Sequence, residues 1–299
     1  MNAQIITSID LGSNSYRVLQ IDSQSKEVLG EFETTVGLAD GLAKTGDISL
    51  EALDRVIKAI EKSIDKLQFD PKNAIAVTTH AMRKAKNSQE ILLALKDKTG
   101  VSFEIIDADT EAKLTLLAMQ YALKREKVDA KEFFLLDIGG GSSELIFHSD
   151  KKQLIKSFPY GIVTLSQSTN REEQLQTFKK DILEHINPLD TKEAVFLSTA
   201  GTPTTLAALK QGLNYKTYDK SIVNGTILNK EEVEKRKEHL KSLSKEELIK
   251  EVGSGRDDYI DAGISIYLLF FEVLKMDESI VFDDGLREGV ALNSCRGFM

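Results

Sequence analysis

Two stretches of this chain repeat one pattern at a fixed distance, and any fold must accommodate both. Residues 5–21 run apolar side chains into Asp10, then Gly12 and small polar residues, then a second apolar run. Residues 133–147 do the same, with apolar residues leading into Asp137, three glycines, Ser142, Ser143, Glu144 and a further apolar run. Asp10 matches Asp137, Gly12 matches Gly139 and Ser15 matches Ser142, an offset of 137 − 10 = 127 residues. Each stretch reads as strand, tight turn, strand. Glycines without Cβ permit φ > 0 and close approach, so successive N–H groups can converge on an anion. Carboxylates beside such a cup make sense with a divalent cation between, because Mg²⁺ is held by one or two carboxylates plus phosphate oxygens and waters. One glycine hairpin is often a plain turn; two point to an internal duplication.

The 299 residues suffice for two domains with a core each. With 39 basic and 47 acidic residues the net charge is −8, which argues against a nucleic-acid-binding surface. An anionic substrate would then need a locally positive groove. A lone cysteine, Cys295, excludes an internal disulfide and fits a reducing compartment. The amino terminus has no signal-like core, and the longest apolar stretch, about 264–274, is too short to span a bilayer, so a cytoplasmic protein without membrane contact is expected.

After the first hairpin, residues 28–36 read as a third strand and 37–46 as a loop. A helix from Ser49 to Leu67 carries Leu53, Val56, Ile57, Ile60 and Ile64 on one face. A strand at 74–79, a polar loop at 80–87, a helix to Lys98, a strand at 103–106 and a helix at 110–123 follow. The second half repeats the order, with strands at 133–137, 143–147, 153–158 and 194–198 and helices at 171–186 and from Pro203. Surface helices at 230–250, a helix at 257–274, a strand at 279–283 and a helix at about 286–296 close the chain. The polar segment 124–131 separates the halves. The fold class expected is α/β, two duplicated βββαβα lobes around an interlobe cleft. The lobes are 1–123 and 124–299, with a terminal helix at about 285–299 that can pack back on the first.

Duplicated lobes with hairpin phosphate loops resemble the actin-like (ribonuclease H-like) superfamily of actin, sugar kinases and heat-shock chaperones. Six motifs resemble one branch of it, the exopolyphosphatase and guanosine pentaphosphate phosphohydrolase family. They are Ser-Ile-Asp-Leu-Gly-Ser-Asn-Ser (8–15), Thr-Thr-His-Ala-Met-Arg-Lys-Ala-Lys-Asn (78–87), Asp-Ile-Gly-Gly-Gly-Ser-Ser-Glu (137–144), Ser-Thr-Ala-Gly-Thr-Pro (198–203), Asp-Ala-Gly-Ile-Ser-Ile (261–266) and Gly-Leu-Arg-Glu-Gly-Val (285–290). They cover nearly the whole chain in family order, and the resemblance is to the short two-lobe form, so the extra carboxy-terminal helical domain of longer members is not expected. The resemblance implies Mg²⁺-dependent release of the terminal phosphate of inorganic polyphosphate, guanosine pentaphosphate or both. A homodimer is plausible by the same analogy. It also implies that Glu111 is the catalytic carboxylate. The family's Gly-x-Glu-Glu-Ala stretch here reads Ala108-Asp-Thr-Glu-Ala112, so Thr110 and Ala108 depart from it.

Glu111 would then orient or deprotonate the attacking water; its plain alternative is a first-turn glutamate on a helix capped by Thr110. Asp137 and Glu144, with Asp10 from the other lobe, are candidate Mg²⁺ ligands, although an Asp before a turn also bonds following backbone N–H groups. Gly12, Ser13, Asn14, Ser15, Gly139, Gly140, Gly141, Ser142 and Ser143 would cradle phosphates through N–H and hydroxyl donors. Arg83, in a loop after a strand, has the planar guanidinium that suits phosphate, and a surface arginine is the alternative. Arg17 is open between the cleft and a salt bridge, and Gly201 between a third ligand loop and a strand-to-helix turn. His80, His148, His185 and His239 lack metal-ligand spacing and read as surface or loop residues. Two other functions stay open: an ATP-dependent small-molecule kinase, and a non-catalytic sensor of guanosine tetra- or pentaphosphate or polyphosphate.

Overall fold

Alternating apolar runs and turns build a three-stranded antiparallel meander at the start of each half. The structure, a computed structural model, describes residues 4–186 and 194–296. In the first half β1 (Ile5–Leu11), β2 (Ser15–Asp22) and β3 (Val28–Thr35) are followed by β4 (Ile75–Thr78) and β5 (Phe103–Ile105). The sheet order is β3-β2-β1-β4-β5, with β1–β4 and β4–β5 parallel. The second half supplies β6 (Phe133–Ile138), β7 (Ser143–His148), β8 (Gln153–Phe158), β9 (Val195–Thr199), β10 (Thr226–Asn229) and β11 (Glu278–Val281). Their order is β10-β11-β9-β6-β7-β8, so β8-β7-β6-β9-β11 repeats the first sheet strand for strand. β10, absent from the reading of the sequence, adds an antiparallel edge strand on β11.

Parallel neighbours need crossovers, and helices supply them. They include Leu50–Leu67 and Ser88–Thr99 in the first half, and Arg171–Ile186, Gly201–Lys210 and Ile260–Leu274 in the second, while Ala108–Arg125 leads from the first sheet to the second. Helices on a mixed sheet bury its central strands on both faces. β1 is buried except at its first residue and Asp10, which is half-buried, and β6 except at half-buried Asp137. The fold class is therefore α/β, with a duplicated topology.

Helix Leu50–Leu67 shows how local sequence sets an element. Ser49 Oγ accepts from the Ala52 N–H at 3.1 Å, capping the start. Leu53, Val56, Ile57 and Ile60, spaced along one face, are buried. Full burial of each contributes about 1.5–3 kcal/mol. Gln68 in the left-handed conformation ends the helix.

By contacts the chain divides into two units: residues up to Ala118 together with those from Asp284 onward, and Met119–Asp283. The division falls inside the helix Ala108–Arg125, ahead of the 123/124 boundary read from the sequence. In the first unit the helix Leu286–Arg296 returns to the amino-terminal sheet, where Ala291 and Cys295 pack on Ile6, Leu19 and Ile21. Leu286 and Val290 pack on Val77 and Ile106. In the second unit Phe178 is buried among aromatic rings, with Tyr160 stacked at 4.4 Å and Phe158 and Phe270 at 5.2 and 5.5 Å between centroids.

Several boundaries differ from the sequence reading. The polar loop read at 80–87 contains a short helix, His80–Lys84, because Ala81 and Met82 are buried and too few to register as a periodic face. The helix read from Thr110 begins at Ala108, and the one read from Pro203 begins at Gly201. The loop at 37–46 includes the short helix Leu42–Thr45. No helix among the described residues is long and apolar enough to cross a membrane.

Candidate active site

Strand register carries the duplication into the side chains. In the first hairpin Asp10 lies directly opposite Arg17 and Leu11 opposite Tyr16. In the second Asp137 lies opposite Glu144 and Ile138 opposite Ser143. Residues paired in this way project from the same face of the sheet. The tips close alike: Gly12 N–H donates to Ser15 O at 2.9 Å, and Gly139 N–H to Ser142 O at 3.0 Å.

Each tip is held by its carbonyls. In the first unit the N–H groups of Val36 and Gly37 donate to Asn14 O at 2.8 and 3.0 Å, and that of Ala39 to Ser13 O at 2.9 Å. In the second, the N–H groups of Ile162 and Val163 donate to Gly139 O and Gly140 O at 3.0 and 2.8 Å. In a trans peptide the C=O and the next N–H point oppositely. The amides of Asn14, Ser15, Gly140 and Gly141 are thereby turned away from their supports, as a backbone anion cup requires.

The support of the second tip depends on close approach. A Cβ at Gly161 would collide with the Gly140 carbonyl oxygen and lie 2.6 Å from Gly141 N. Tyr160, stacked on Phe178, anchors this turn, and its carbonyl accepts from Ser143 Oγ at 2.6 Å. Ser143 was expected to donate to phosphate; its buried hydroxyl serves the loop instead. Gly12, Gly139 and Gly201 do not take up the left-handed backbone that glycine permits. The strained residue is Ala200, with φ 73° and ψ −177° between β9 and the helix that Gly201 opens. Such a conformation is nearly confined to glycine and costs about 1–3 kcal/mol. A Cβ at Gly201 would meet open space, so its role as a third loop rests on the turn and not on a steric need.

Asp137 and Glu144 form a cross-strand pair of like charge, which is unfavourable unless something offsets it. Glu144 is buried, and its Oε1 accepts from Ser157 Oγ at 2.7 Å. In the other hairpin the Asn14 side chain is buried and its Oδ1 has no hydrogen-bond partner among the described residues. Oxygen-only donors of this kind fit a hard cation such as Mg²⁺ that completes its shell with waters and phosphate. No three His, Cys, Asp or Glu side chains among the described residues are grouped so as to hold a metal ion. Arg17 reaches Glu33, its cross-strand neighbour on β3, at 3.4 Å.

Glu111 lies in the first turn of its helix, 13% exposed. The cap is Asp107, not Thr110: Asp107 Oδ1 accepts from the Thr110 N–H at 2.7 Å. That bond holds the Asp107 carboxyl below its usual range. Arg83 sits on the helix His80–Lys84, not in a loop, and its Nη1 donates to Glu111 Oε2 at 2.9 Å and to Ile106 O at 2.7 Å. The two residues expected to act separately therefore form one ion pair. Both described contacts of Arg83 use Nη1, which leaves Nε and Nη2 for an oxyanion. Next to it, half-buried His80 titrates at about 4, lowered first by desolvation and then by Arg83 and Lys84.

Sequence reasoning missed Gly161, a single glycine whose need is purely tertiary. It also gave no role to Arg287, of the Gly-Leu-Arg-Glu-Gly-Val motif. Its side chain is 2% exposed and pairs with Glu31 at 2.8 Å and Glu288 at 2.9 Å. The Arg287 carbonyl accepts from Ser8 Oγ at 2.8 Å, tying that motif to β1.

A model of the Ppx/GppA phosphatase family matches residues 17–297. A Haemophilus influenzae protein, named as a candidate exopolyphosphatase, is 26% identical over 99% of this chain and 93% of its own. A guanosine-5'-triphosphate,3'-diphosphate pyrophosphatase of Vibrio parahaemolyticus is 26% identical over 97% of this chain, which spans 59% of that protein's length. The crystal structure of the Aquifex aeolicus Ppx/GppA family member superposes with a TM-score of 0.75 at 29% identity, covering 99% of each chain. With matching motifs, register and family model over almost its whole length, this chain belongs to the Ppx/GppA phosphatase family.

Proposed function

We propose that this chain is a Mg²⁺-dependent phosphoanhydride hydrolase that releases the terminal phosphate of inorganic polyphosphate, guanosine pentaphosphate, or both. The observation that carries the reading is the repeated hairpin, whose tip carbonyls are tied back so that its amides face outward in each unit. Gly12, Ser13, Asn14 and Ser15, with Gly139, Gly140, Gly141 and Ser142, bind phosphate oxygens through those amides and adjoining hydroxyls. Asp137 and Glu144, a cross-strand pair within the second unit, are the residues that would hold Mg²⁺, which when bound offsets phosphate charge. Arg83 orients Glu111 and offers its remaining N–H groups to the terminal phosphate. Glu111 aligns a water and accepts its proton. The water oxygen bonds to the terminal phosphorus, the bridging P–O bond breaks, and orthophosphate leaves.

The decisive assay measures phosphate release from polyphosphate, guanosine pentaphosphate and ATP, with and without Mg²⁺ and without any acceptor. Release from either of the first two, dependent on Mg²⁺ and lost in Glu111→Gln, is the expected result. Absence of release from all three overturns the proposal. The closed Arg83–Glu111 pair favours one second reading, a sensor in which the acid never meets water. Tight nucleotide or polyphosphate binding without turnover, unchanged in Glu111→Ala, would establish that reading instead.

A further inference from the structure

Away from the hairpins, the second unit holds a cavity of about 360 Å³ that the hydrolase reading does not use. It lies between the helix Gly201–Lys210, β10 and the helix Lys230–Ser242. Buried Leu206, Leu228 and Val233 line it, so part of the wall is apolar. Four basic side chains, Lys210, Lys235, Arg236 and His239, also line it.

Three of those four are neutralised. Lys210 Nζ sits 2.7 Å from Glu232 Oε2 and donates to Ile227 O at 2.9 Å. Lys235 pairs with Glu231 at 2.6 Å, and His239 Nε2 lies 3.2 Å from Glu251 Oε1. Arg236 is half-buried and has no carboxylate within ion-pair reach among the described residues. A guanidinium without a carboxylate partner, beside an apolar wall, can take an anionic partner. A guanidinium presents a planar fork that matches carboxylate or phosphate oxygens two at a time. Pockets of this size, mostly apolar with a few placed polar groups, are typical of small-molecule sites.

We propose that this cavity binds a small oxyanion carried on an apolar body, with Arg236 holding the anionic head and Leu206, Leu228 and Val233 covering the body. The site is separate from the hairpins and does not depend on whether they hydrolyse anything.

The test uses the full chain with methyl-labelled Leu and Val, titrated by NMR. Benzoate and phenylphosphonate serve as the two anionic probes, with benzyl alcohol and inorganic phosphate as controls that each lack one half of the ligand. Saturable shifts at Leu206, Leu228 and Val233 with either anion are expected, at least tenfold weaker for both controls. The tighter of the two anions identifies carboxylate or phosphate as the natural head group. Arg236→Gln should weaken binding at least tenfold with the other methyl signals unmoved, and Arg236→Lys should recover part of the loss. Unsaturable shifts, equal affinity in Arg236→Gln, or benzyl alcohol binding as tightly as benzoate would each overturn the proposal. So would phenylphosphonate shifts confined to methyls around the hairpins, such as Leu11 and Leu136.

Discussion

Asp10 faces Arg17 in the first hairpin; at the equivalent positions of the second, Asp137 faces Glu144. The backbone is the same to the residue, and the charge is not. Opposite charges across a strand pair stabilise it by a few tenths to about 1 kcal/mol, and like charges oppose it by a similar amount. The second pair therefore starts from a small electrostatic cost that the first does not carry, and Ser157 Oγ donates to Glu144 at 2.7 Å. A duplicated scaffold thus keeps its hydrogen-bonded cup in both copies and differs in the residue opposite the aspartate. In the proposed hydrolase the second unit leans toward metal and the first toward phosphate and water.

The largest expected effect tests the water side of that division. Glu111→Gln keeps the size and the first-turn position while removing the charge, and should lower kcat by roughly 10²–10⁴-fold with KM little changed. A loss below tenfold in phosphate release would move the base elsewhere. The charge contrast itself is tested next. Glu144→Gln should raise the Mg²⁺ concentration for half-maximal activity by about 10–100-fold, the range typical of groups that support a metal site. Arg17→Gln, which removes the cation opposite Asp10, should instead leave the Mg²⁺ requirement nearly unmoved. Equal Mg²⁺ shifts in the two variants would erase the distinction.

The hairpins also differ in steric tolerance at matched glycines. A Cβ on Gly12 would make ordinary contact with Ser15 O at 3.6 Å, but on Gly139 it would press Ser142 O at 3.0 Å. Gly139→Ala should cost about 1–3 kcal/mol by overpacking, and Gly12→Ala within about 0.5 kcal/mol. Urea unfolding of the two variants reads this directly. A pH effect concerns His80. Its folded pKa of about 4 lies below the ordinary 6.5, so the unfolded chain binds more protons between those values. That part of stability is present above pH 6.5 and is lost as pH falls toward 4. His80→Gln should flatten the pH dependence of Tm in that window, and an unchanged slope would show that His80 is not its source.

The duplication was legible because strand, aspartate, glycine and serine recur at one offset, and register follows from such a pattern once the turn length is fixed. Glu111 was legible only through family resemblance, since one glutamate in a first helical turn carries no chemistry of its own. Its pairing with Arg83 was hidden because a two-residue apolar face, Ala81 and Met82, does not announce a helix. Gly161 was hidden for another reason: what it needs is the nearness of Gly140, and no local pattern encodes a contact across a loop. Ser143 was misjudged because a hydroxyl beside a glycine run looks the same whether it faces an anion or a carbonyl. β10, Thr226–Asn229, runs directly into the capped, charge-rich helix Lys230–Ser242, whose pattern masks it.

The helix that covers Ile6, Leu19 and Ile21 comes from the other end of the chain. During synthesis the first sheet emerges early but waits, with an apolar face bare, until residue 295 has left the ribosome. The second unit, contiguous from Met119 to Asp283, has all its parts before that moment. Order of translation and order of completion are therefore reversed, and clipping the last dozen or so residues would strip the cover from the unit made first.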